Sequence, residues 1–262
     1  MTSPLPRILV VLFLLVCSGC AGNPRPFGGA DMTGPARQLL LVTAEGWDAT
    51  GGELRRFERA EPGAEWTPVG GPVVVNLGRG GLGWGRGLHG LALGSGPVKR
   101  EGDGRAPAGL FSLGTGFAYD PAGVVTEAGA VRLPLLRADE NLVCVDDAGS
   151  QSYNRIIDRR AVQKTDWTSH EDMLRADGQY RLGALVRHNM DPVVPGGGSC
   201  IFLHIWLGQG VASSGCTNMA PEAMLELLRW LDAEREPVLA QLPRQELARF
   251  GPAWGLPEQG GQ

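Results

Sequence analysis

Lysine is nearly absent from this chain: Lys99 and Lys164 are its two lysines, and the other 22 of its 24 basic residues are arginines. Acidic residues number 28, which gives a net charge of −4, and no stretch concentrates basic residues. A nucleic-acid partner requires a basic patch or run, so none is expected. The longest apolar run, residues 8–16, has nine residues and is too short to span a bilayer as a helix.

Long helix-forming stretches are also scarce, because 40 glycines and 19 prolines are spread over the 262 residues. Glycine weakens helix interiors and proline breaks them. A hydrophobic content of 43% nevertheless allows a buried core, which argues against a disordered chain. The composition therefore predicts one mainly β domain, a sandwich or barrel-like set of short strands with one or two helices.

The N-terminus carries the features of an export signal. Arg7 precedes the apolar run, which ends in Cys17-Ser18-Gly19-Cys20. Small residues before a cysteine resemble a bacterial lipoprotein signal, in which residues 1–19 are removed and Cys20 is lipidated; the alternative is an ordinary secretory signal cleaved nearby. Both readings export the protein. The lipoprotein reading anchors it in a membrane at the periplasmic face, and Ala21 resembles an outer-membrane sorting residue for a Gram-negative host.

Export places the remaining cysteines in an oxidising compartment. Once Cys17 is removed and Cys20 is lipidated, three cysteines remain, and an odd number suggests one disulfide with one leftover thiol. Cys144 and Cys200 lie on predicted strands and form the candidate pair. Two buried thiols are the alternative, since the sequence does not show whether their Cα atoms lie close enough for a bond.

Residues 20–36 are rich in Gly, Pro and Asn and predict a flexible tether before a domain at 37–243; residues 244–262 predict a polar tail. Apolar and β-branched runs predict strands within the domain. A capping box at Thr168 and Glu171 predicts a helix over 168–176, and Pro221 opens a second, amphipathic helix over 221–233. The predicted strands are 38–43, 54–59, 72–77, 110–113, 142–145, 182–187, 199–207 and 237–242.

Three motifs suggest a nucleotide-binding or metal-binding site, but the residues around each motif or the spacing within it exclude that site. Residues 78–83 match the dinucleotide pattern G-x-G-x-x-G, but the pattern needs a following helix and the next residues are Trp-Gly-Arg-Gly. His170-Glu171 resembles a zinc-protease helix, yet position 174 is Leu. Cys200 and His204 would be about 13 Å apart along a strand, too far to share one ion easily. No metal site is expected.

The segment that carries chemistry contains His204 and, twelve residues later, Cys216. Cys216 follows Ser213, Ser214 and Gly215 and lies shortly before the predicted helix at 221, whose N-terminus would favour a thiolate. Main-chain N–H groups of this glycine-containing turn could hold an oxyanion, and His204 on the neighbouring strand could take the thiol proton. A buried cysteine beside a core histidine is the alternative interpretation.

This segment resembles the signature of the L,D-transpeptidase family (YkuD-like catalytic domains), and an upstream block in the same order, Gly102-Asp103 followed by residues 107–111, resembles a second family motif. Two departures stand out: Ser214 occupies the position of the family's second histidine, and the loop after His204 is shorter than usual. The positions that match the signature are His204, Ser213, Gly215, Cys216 and Asn218.

The resemblance implies that Cys216 attacks the third residue of a peptidoglycan stem peptide and that His204, oriented by a backbone carbonyl, is the base. The amides of Ser214, Gly215 and Cys216 would hold the oxyanion, Ser213 and Asn218 would shape the site, and a second stem peptide would accept the thioester. No metal or organic cofactor is implied, and we expect a monomer. A carboxypeptidase or endopeptidase on the same scaffold and a non-catalytic peptidoglycan-binding lipoprotein are the alternatives.

Further residues near these motifs are candidates for lining the substrate cleft, with ordinary loop or surface roles as the alternative. One group precedes the glycine-rich turn before the catalytic strand, another follows the acidic pair 146–147, and a third lies on or next to the glycine loop at 78–87. These substrate-binding candidates are Arg187, His188, Asn189, Tyr153, Asn154, Arg155, Trp84, Arg86 and His89.

Overall fold

The computed structural model describes residues 31–90 and 94–257, and in this part of the chain the protein is mainly β, as the composition predicts. The predicted export signal, the lipidation site Cys20 and the tail residues 258–262 lie outside the described residues. No helix in the described ranges is long and apolar enough to cross a membrane.

The elements follow one another in chain order. The strands are β1 (Gln38–Ala44), β2 (Gly51–Glu58), β3 (Thr67–Asn76), β4 (Leu82–Trp84), β5 (Ala106–Ala118), β6 (Leu135–Arg137), β7 (Leu142–Cys144), β8 (Ile156–Asp158), β9 (Glu171–Asp172), β10 (Leu182–Val186), β11 (Phe202–Ile205), β12 (Thr217–Met219) and β13 (Val238–Pro243). The α-helices are α1 (Pro121–Ala128), α2 (Pro221–Trp230) and α3 (Arg244–Trp254).

Eight of these strands form a closed barrel. The pairing runs β5–β10–β11–β12–β3–β2–β1–β13, and β13 pairs with β5 to close the ring. In this ring β11 is parallel to β12 and β1 is parallel to β13, and all other adjacent strands are antiparallel. β4 and β6 add to β5 outside the ring.

The barrel is filled by apolar side chains and covered by helices. Every residue of β1 is buried, because α3 packs against β1 and β13 from outside while the other face points into the barrel. Helix α2 packs on β10 and β11 through Met224, Leu227 and Leu228. This contact covers β11, one of the two strands on which the candidate site is built.

A small three-stranded sheet lies beside the barrel, in the strand order β8-β7-β9. A disulfide joins Cys144, the last residue of β7, to Cys200, which stands two residues before β11. The bond, with a Cα–Cα distance of 5.9 Å, lies within the range that disulfides require. The candidate pair from the sequence is thus the pair that the structure joins, and it ties the small sheet to the barrel.

The predicted helix over 168–176 is wrong. Glu171 and Asp172 form β9 and pair with β7, and the expected cap residue, Thr168, bonds elsewhere. Its N–H and its hydroxyl both donate to the Asp147 carboxylate at 2.8 Å. A carboxylate 21 residues upstream thus takes the hydroxyl that would cap a helix, and the chain runs extended.

Both predicted tails are shorter than expected. Residues 244–254, assigned to the polar tail, form α3, whose Leu247 and Trp254 are buried against the barrel. At the other end, the Arg59 guanidinium holds residues 31–36, bonding Asp31, Thr33 and the carbonyls of Gly34 and Ala36. With α1, which the sequence did not predict, the described residues contain three α-helices rather than one or two.

Candidate active site

The candidate base, His204, lies on β11, and the candidate nucleophile, Cys216, directly precedes the parallel strand β12. The register pairs His204 with Asn218 and Leu203 with Thr217, so Cys216, one residue before β12, lies level with Phe202. Side chains two residues apart on a strand share a face. Since His204 and Phe202 share one, the pairing places Cys216 and His204 on the same face of adjacent strands.

The Cys216 thiol is enclosed by main chain and aromatic rings. The Phe202 N–H donates to Sγ at 3.3 Å, and the thiol faces the Cys200 carbonyl oxygen at 3.5 Å. Burial, reinforced by the carboxylate of Glu171, raises the pKa of Cys216 to about 12 against the lowering effects of the Phe202 N–H and Lys99. The resting Cys216 side chain is therefore a neutral thiol.

The expectation that a helix N-terminus stabilises the thiolate is not met. Strand β12 lies between Cys216 and α2, which begins only at Pro221. Because the dipole effect falls off within the first turn of a helix, α2 does not offset the cost of burying a thiolate at this position.

The imidazole of His204 is buried and neutral. Its Nδ1 lies 2.7 Å from the carbonyl oxygen of Ile205, so Nδ1–H donates there and the lone pair of the neutral ring is on Nε2. The Gln179 carbonyl also lies against the ring. Burial lowers the pKa of His204 to about 4. Among the described residues no hydrogen bond links His204 to Cys216, and contacts of this kind often tighten only when substrate binds.

A neutral resting thiol predicts a distinctive pH dependence for alkylation of Cys216. Because the thiolate is the nucleophile, the rate with iodoacetamide should rise about tenfold per pH unit from pH 7 to 10 without levelling off. The rate is measured by mass spectrometry on the tryptic peptide that contains Cys216, with glutathione alkylated in parallel as the control. A plateau below pH 9 would contradict the buried neutral thiol.

Tyr180 lies beside both candidate residues: its ring contacts His204, and its side chain is within hydrogen-bonding reach of the Cys216 thiol. The ring packs edge-on against His204 and against Phe202, with centroids 5.2 and 5.3 Å away. Its hydroxyl donates to the Glu171 carboxylate at 2.5 Å. Burial raises the Tyr180 pKa well above its ordinary value, and the neighbouring Cys216 and Glu171 side chains reinforce the increase. From the sequence, Glu171 is expected only as a helix cap, and no pattern points to Tyr180.

The turn before Cys216 is fixed by Ser213. Its hydroxyl donates to the Cys216 carbonyl at 2.6 Å and accepts the Gly215 N–H at 3.0 Å. Gly215 has a φ of +151°, and a Cβ there would lie 3.1 Å from the Arg105 carbonyl oxygen, so glycine is required. Since the Gly215 N–H is already bonded, the predicted group of three oxyanion donors loses one member, which leaves Ser214 and Cys216.

Asn218 and Ser214 have partners that the sequence did not indicate. The Asn218 side-chain oxygen accepts from Asn76 at 2.9 Å. The same Asn76 side chain bonds Gly208, Gly210 and Val211 in the loop between His204 and Cys216. Asn218 thus shapes the site through this network.

Ser214 lies on the exposed side of the turn. Its hydroxyl accepts from Arg79 Nη1 at 3.0 Å. Arg79, on the glycine loop, is therefore the group that contacts the position where the family has its second histidine.

Two of the substrate-binding candidates, His188 and Asn189, support the turn that precedes β11. His188 is buried, with Nδ1 accepting from the Arg86 N–H and Nε2 facing the Gly197 carbonyl oxygen at 3.0 Å. Asn189 bonds Val194 and Gly198 within the turn before β11. Both hold the turn's backbone.

Tyr153 and Asn154 act at the same turn. The Tyr153 hydroxyl bonds Glu101 and accepts the Gly198 N–H. Asn154 bonds the His188 and Asn189 carbonyls and accepts the Cys200 N–H. These contacts fix Cys200, whose positive φ of +55° turns the chain into β11 and shortens the predicted strand over 199–207.

The remaining candidates do not gather around Cys216. Trp84 is 1% exposed and packs against Trp47 and Phe250 in the core, so it is not a substrate contact. Its neighbour His89 is likewise buried, between Phe111 and Trp254. Arg155 is exposed, and Arg187 is exposed and paired with Asp191 at 2.8 Å.

Comparison with known proteins gave one match. A family model described as the L,D-transpeptidase catalytic domain matches residues 73–239, more than half of the chain. The matched range contains both the upstream block at 102–111 and the segment from His204 to Cys216. No curated protein and no solved structure matches the chain significantly.

Proposed function

The chain belongs to the L,D-transpeptidase family, and we propose that it cross-links peptidoglycan stem peptides through a thioester on Cys216. The observation that carries the proposal is the placement of Cys216 and His204 on one face of β11 and β12, within the family match. The buried imidazole with Nδ1 bonded to Ile205 supports His204 as the base.

The first half of the reaction forms the thioester. His204 Nε2 takes the thiol proton, and Cys216 Sγ attacks the carbonyl carbon of the third stem residue, a diamino acid. The N–H groups of Ser214 and Cys216 stabilise the oxyanion. When the tetrahedral intermediate collapses, the C–N bond to the terminal D-Ala breaks, and the D-Ala nitrogen receives the proton held by His204.

The second half transfers the acyl group. The side-chain amine of a second stem attacks the thioester carbonyl carbon and gives up a proton to His204. The C–S bond breaks, the sulfur is reprotonated as a thiol, and an amide joins the two stems. Because both His204 and Cys216 begin and end neutral, the cycle needs no net charge in the buried site.

The proposal is tested by incubating the purified protein with disaccharide-tetrapeptides and analysing the muropeptides by chromatography and mass spectrometry. We expect free D-Ala together with dimers joined through their third residues. Free D-Ala with tripeptide monomers alone would identify water as the acceptor and assign the carboxypeptidase activity instead. Absence of both products would overturn an enzymatic function on these stems.

We further propose that the protein is an exported monomer, anchored through lipid on Cys20 at the periplasmic face of a membrane. The Cys144–Cys200 disulfide supports this, since such bonds persist in oxidising compartments. Metabolic labelling with a palmitate analogue, compared between the wild-type chain and Cys20→Ala, tests the anchor: the label should disappear from the variant.

A further inference from the structure

Lys99 is a buried cation in a chain that has only two lysines. Its side chain is 4% exposed, and its Nζ donates to Asp103 Oδ1 at 2.6 Å and to the Arg100 carbonyl at 2.8 Å. An ammonium has three N–H donors. Two are used by these partners, and the third has no hydrogen-bond partner among the described residues.

The ammonium lies against the turn that presents the nucleophile. A Cβ on Gly215 would lie 3.7 Å from Lys99 Nζ, and a Cβ on Gly198 would lie 3.0 Å from its Cε. Gly215 directly precedes Cys216, and Gly198 is two residues before Cys200, whose carbonyl faces the thiol. The aliphatic part of Lys99 therefore passes between the two turns that enclose Cys216, and its ammonium group lies beside the Gly215 turn.

The charges around Cys216 give Lys99 a defined effect. Glu171 acts from the small sheet and opposes ionisation of the thiol, while Lys99 acts from the opposite turn and favours it. His204 is neutral, and the Arg175 guanidinium lies over the Tyr180 ring at 5.0 Å. The titratable or charged groups facing this region are Glu171, Tyr180, His188, His204, Lys99, Asp103, Arg175, Asp177, Asp146 and Glu101.

We propose that Lys99 is the electrostatic counter-ion of the site, a cation held by Asp103 beside Gly215 to stabilise the Cys216 thiolate and the oxyanion that follows it. The proposal rests on the proposed function only in taking Cys216 as the nucleophile. The Lys99–Asp103 pair still produces an electrostatic field at short range in a buried site, although its two charges partly cancel. The Lys99 ammonium, and not the Asp103 carboxylate, is the end that lies beside the Gly215 turn.

An alternative is that the Lys99–Asp103 pair only stabilises the fold. The Asp103 carboxylate also accepts the N–H groups of Arg100 and Arg105, which orders the segment against Gly215. If this were the whole role, removing either partner would disturb the turn in the same sense. The electrostatic role instead predicts opposite effects of the two substitutions on the thiol.

The experiment measures alkylation of Cys216 by iodoacetamide, a neutral reagent, from pH 7 to 10. Lys99→Gln should slow alkylation about 3- to 10-fold at each pH, because an opposite charge nearby lowers a thiol's pKa, whereas Lys99→Arg should remain within about twofold of wild type. Asp103→Asn should speed alkylation, because it removes the anion that offsets Lys99. Lys164→Gln, at the exposed second lysine, is the matched control and should match wild type.

Melting temperatures establish that the variants are folded. Unchanged alkylation in Lys99→Gln, or slower alkylation in both Lys99→Gln and Asp103→Asn, would overturn the proposal. If Lys99→Gln does not fold, the sign of the Asp103→Asn effect decides: faster alkylation supports the counter-ion, and equal or slower alkylation refutes it. Because alkylation needs no stem peptide, a failure of the proposed function would leave this result unaffected.

Discussion

Cys216→Ala is expected to abolish the covalent adduct that a carbapenem forms with the wild-type protein. In the proposed mechanism a carbapenem would acylate Cys216 in place of the stem peptide, and Cys216 is the one free cysteine of the described residues. Release of D-Ala from tetrapeptides should fall by about 10⁴-fold or more, as when a covalent nucleophile is removed from other enzymes. Intact-protein mass spectrometry and a D-Ala assay measure both effects.

His204→Ala is the companion variant and should acylate about 10²- to 10⁴-fold more slowly than wild type, the range expected for loss of a general base. Its adduct should still map to Cys216. Both substitutions remove buried atoms, so melting temperatures establish that the variants are folded. An adduct that persists in Cys216→Ala, or wild-type turnover by that variant, would refute the thioester mechanism.

Removing the Cys144–Cys200 disulfide is expected to have the largest effect on stability. The bond closes a loop across a sequence separation of 56 residues, and the loop-entropy relation gives a contribution of about 4 kcal/mol to the free energy of unfolding. Cys144→Ser/Cys200→Ser should therefore unfold at markedly lower denaturant concentration. Carbapenem acylation should also slow, because Cys200 presents the carbonyl that faces the Cys216 thiol.

The matched control is wild-type protein treated with a reductant, which breaks the same bond without changing a residue. Reduced wild type and the double variant should show the same loss of stability, measured by denaturant unfolding followed by fluorescence. Equal unfolding midpoints for the oxidised and reduced wild type would show that the disulfide does not hold the small sheet on the barrel.

The barrel strands could be predicted because their signal is local. Residues 38–43 form an apolar run with β propensity, and the structure extends that strand by one residue, to Gln38–Ala44. The helix at 168–176 failed for the opposite reason: Thr168 has the right neighbours for a cap, but Asp147 takes its hydroxyl. Helix α3 was missed because glycine and proline near its end concealed an apolar stripe that includes Leu247 and Trp254.

The site residues divide in the same way, into those with a local sequence signal and those whose role depends on distant residues. His204 and Cys216 stand out in a short segment, whereas their surroundings come from distant parts of the chain. Asn76 reaches Asn218 across 142 residues, and the hydroxyl of Tyr180 meets a carboxylate on a two-residue strand that no pattern predicted. Lys99 carried one usable signal, its rarity among basic residues that are otherwise arginine, although rarity alone does not say where a side chain points.

Because the loop after β11 is anchored by one side chain, it offers a position for a spectroscopic label. One amide, that of Asn76, bonds Gly208, Gly210 and Val211, so the span between His204 and Cys216 is held by Asn76 and not by the tip of the loop. Gln209, exposed at that apex, has no part in those bonds. A fluorophore attached at position 209 would lie in the loop that joins His204 to Cys216 and would leave the Asn76 bonds intact, which makes this position suitable for an optical reporter of substrate binding.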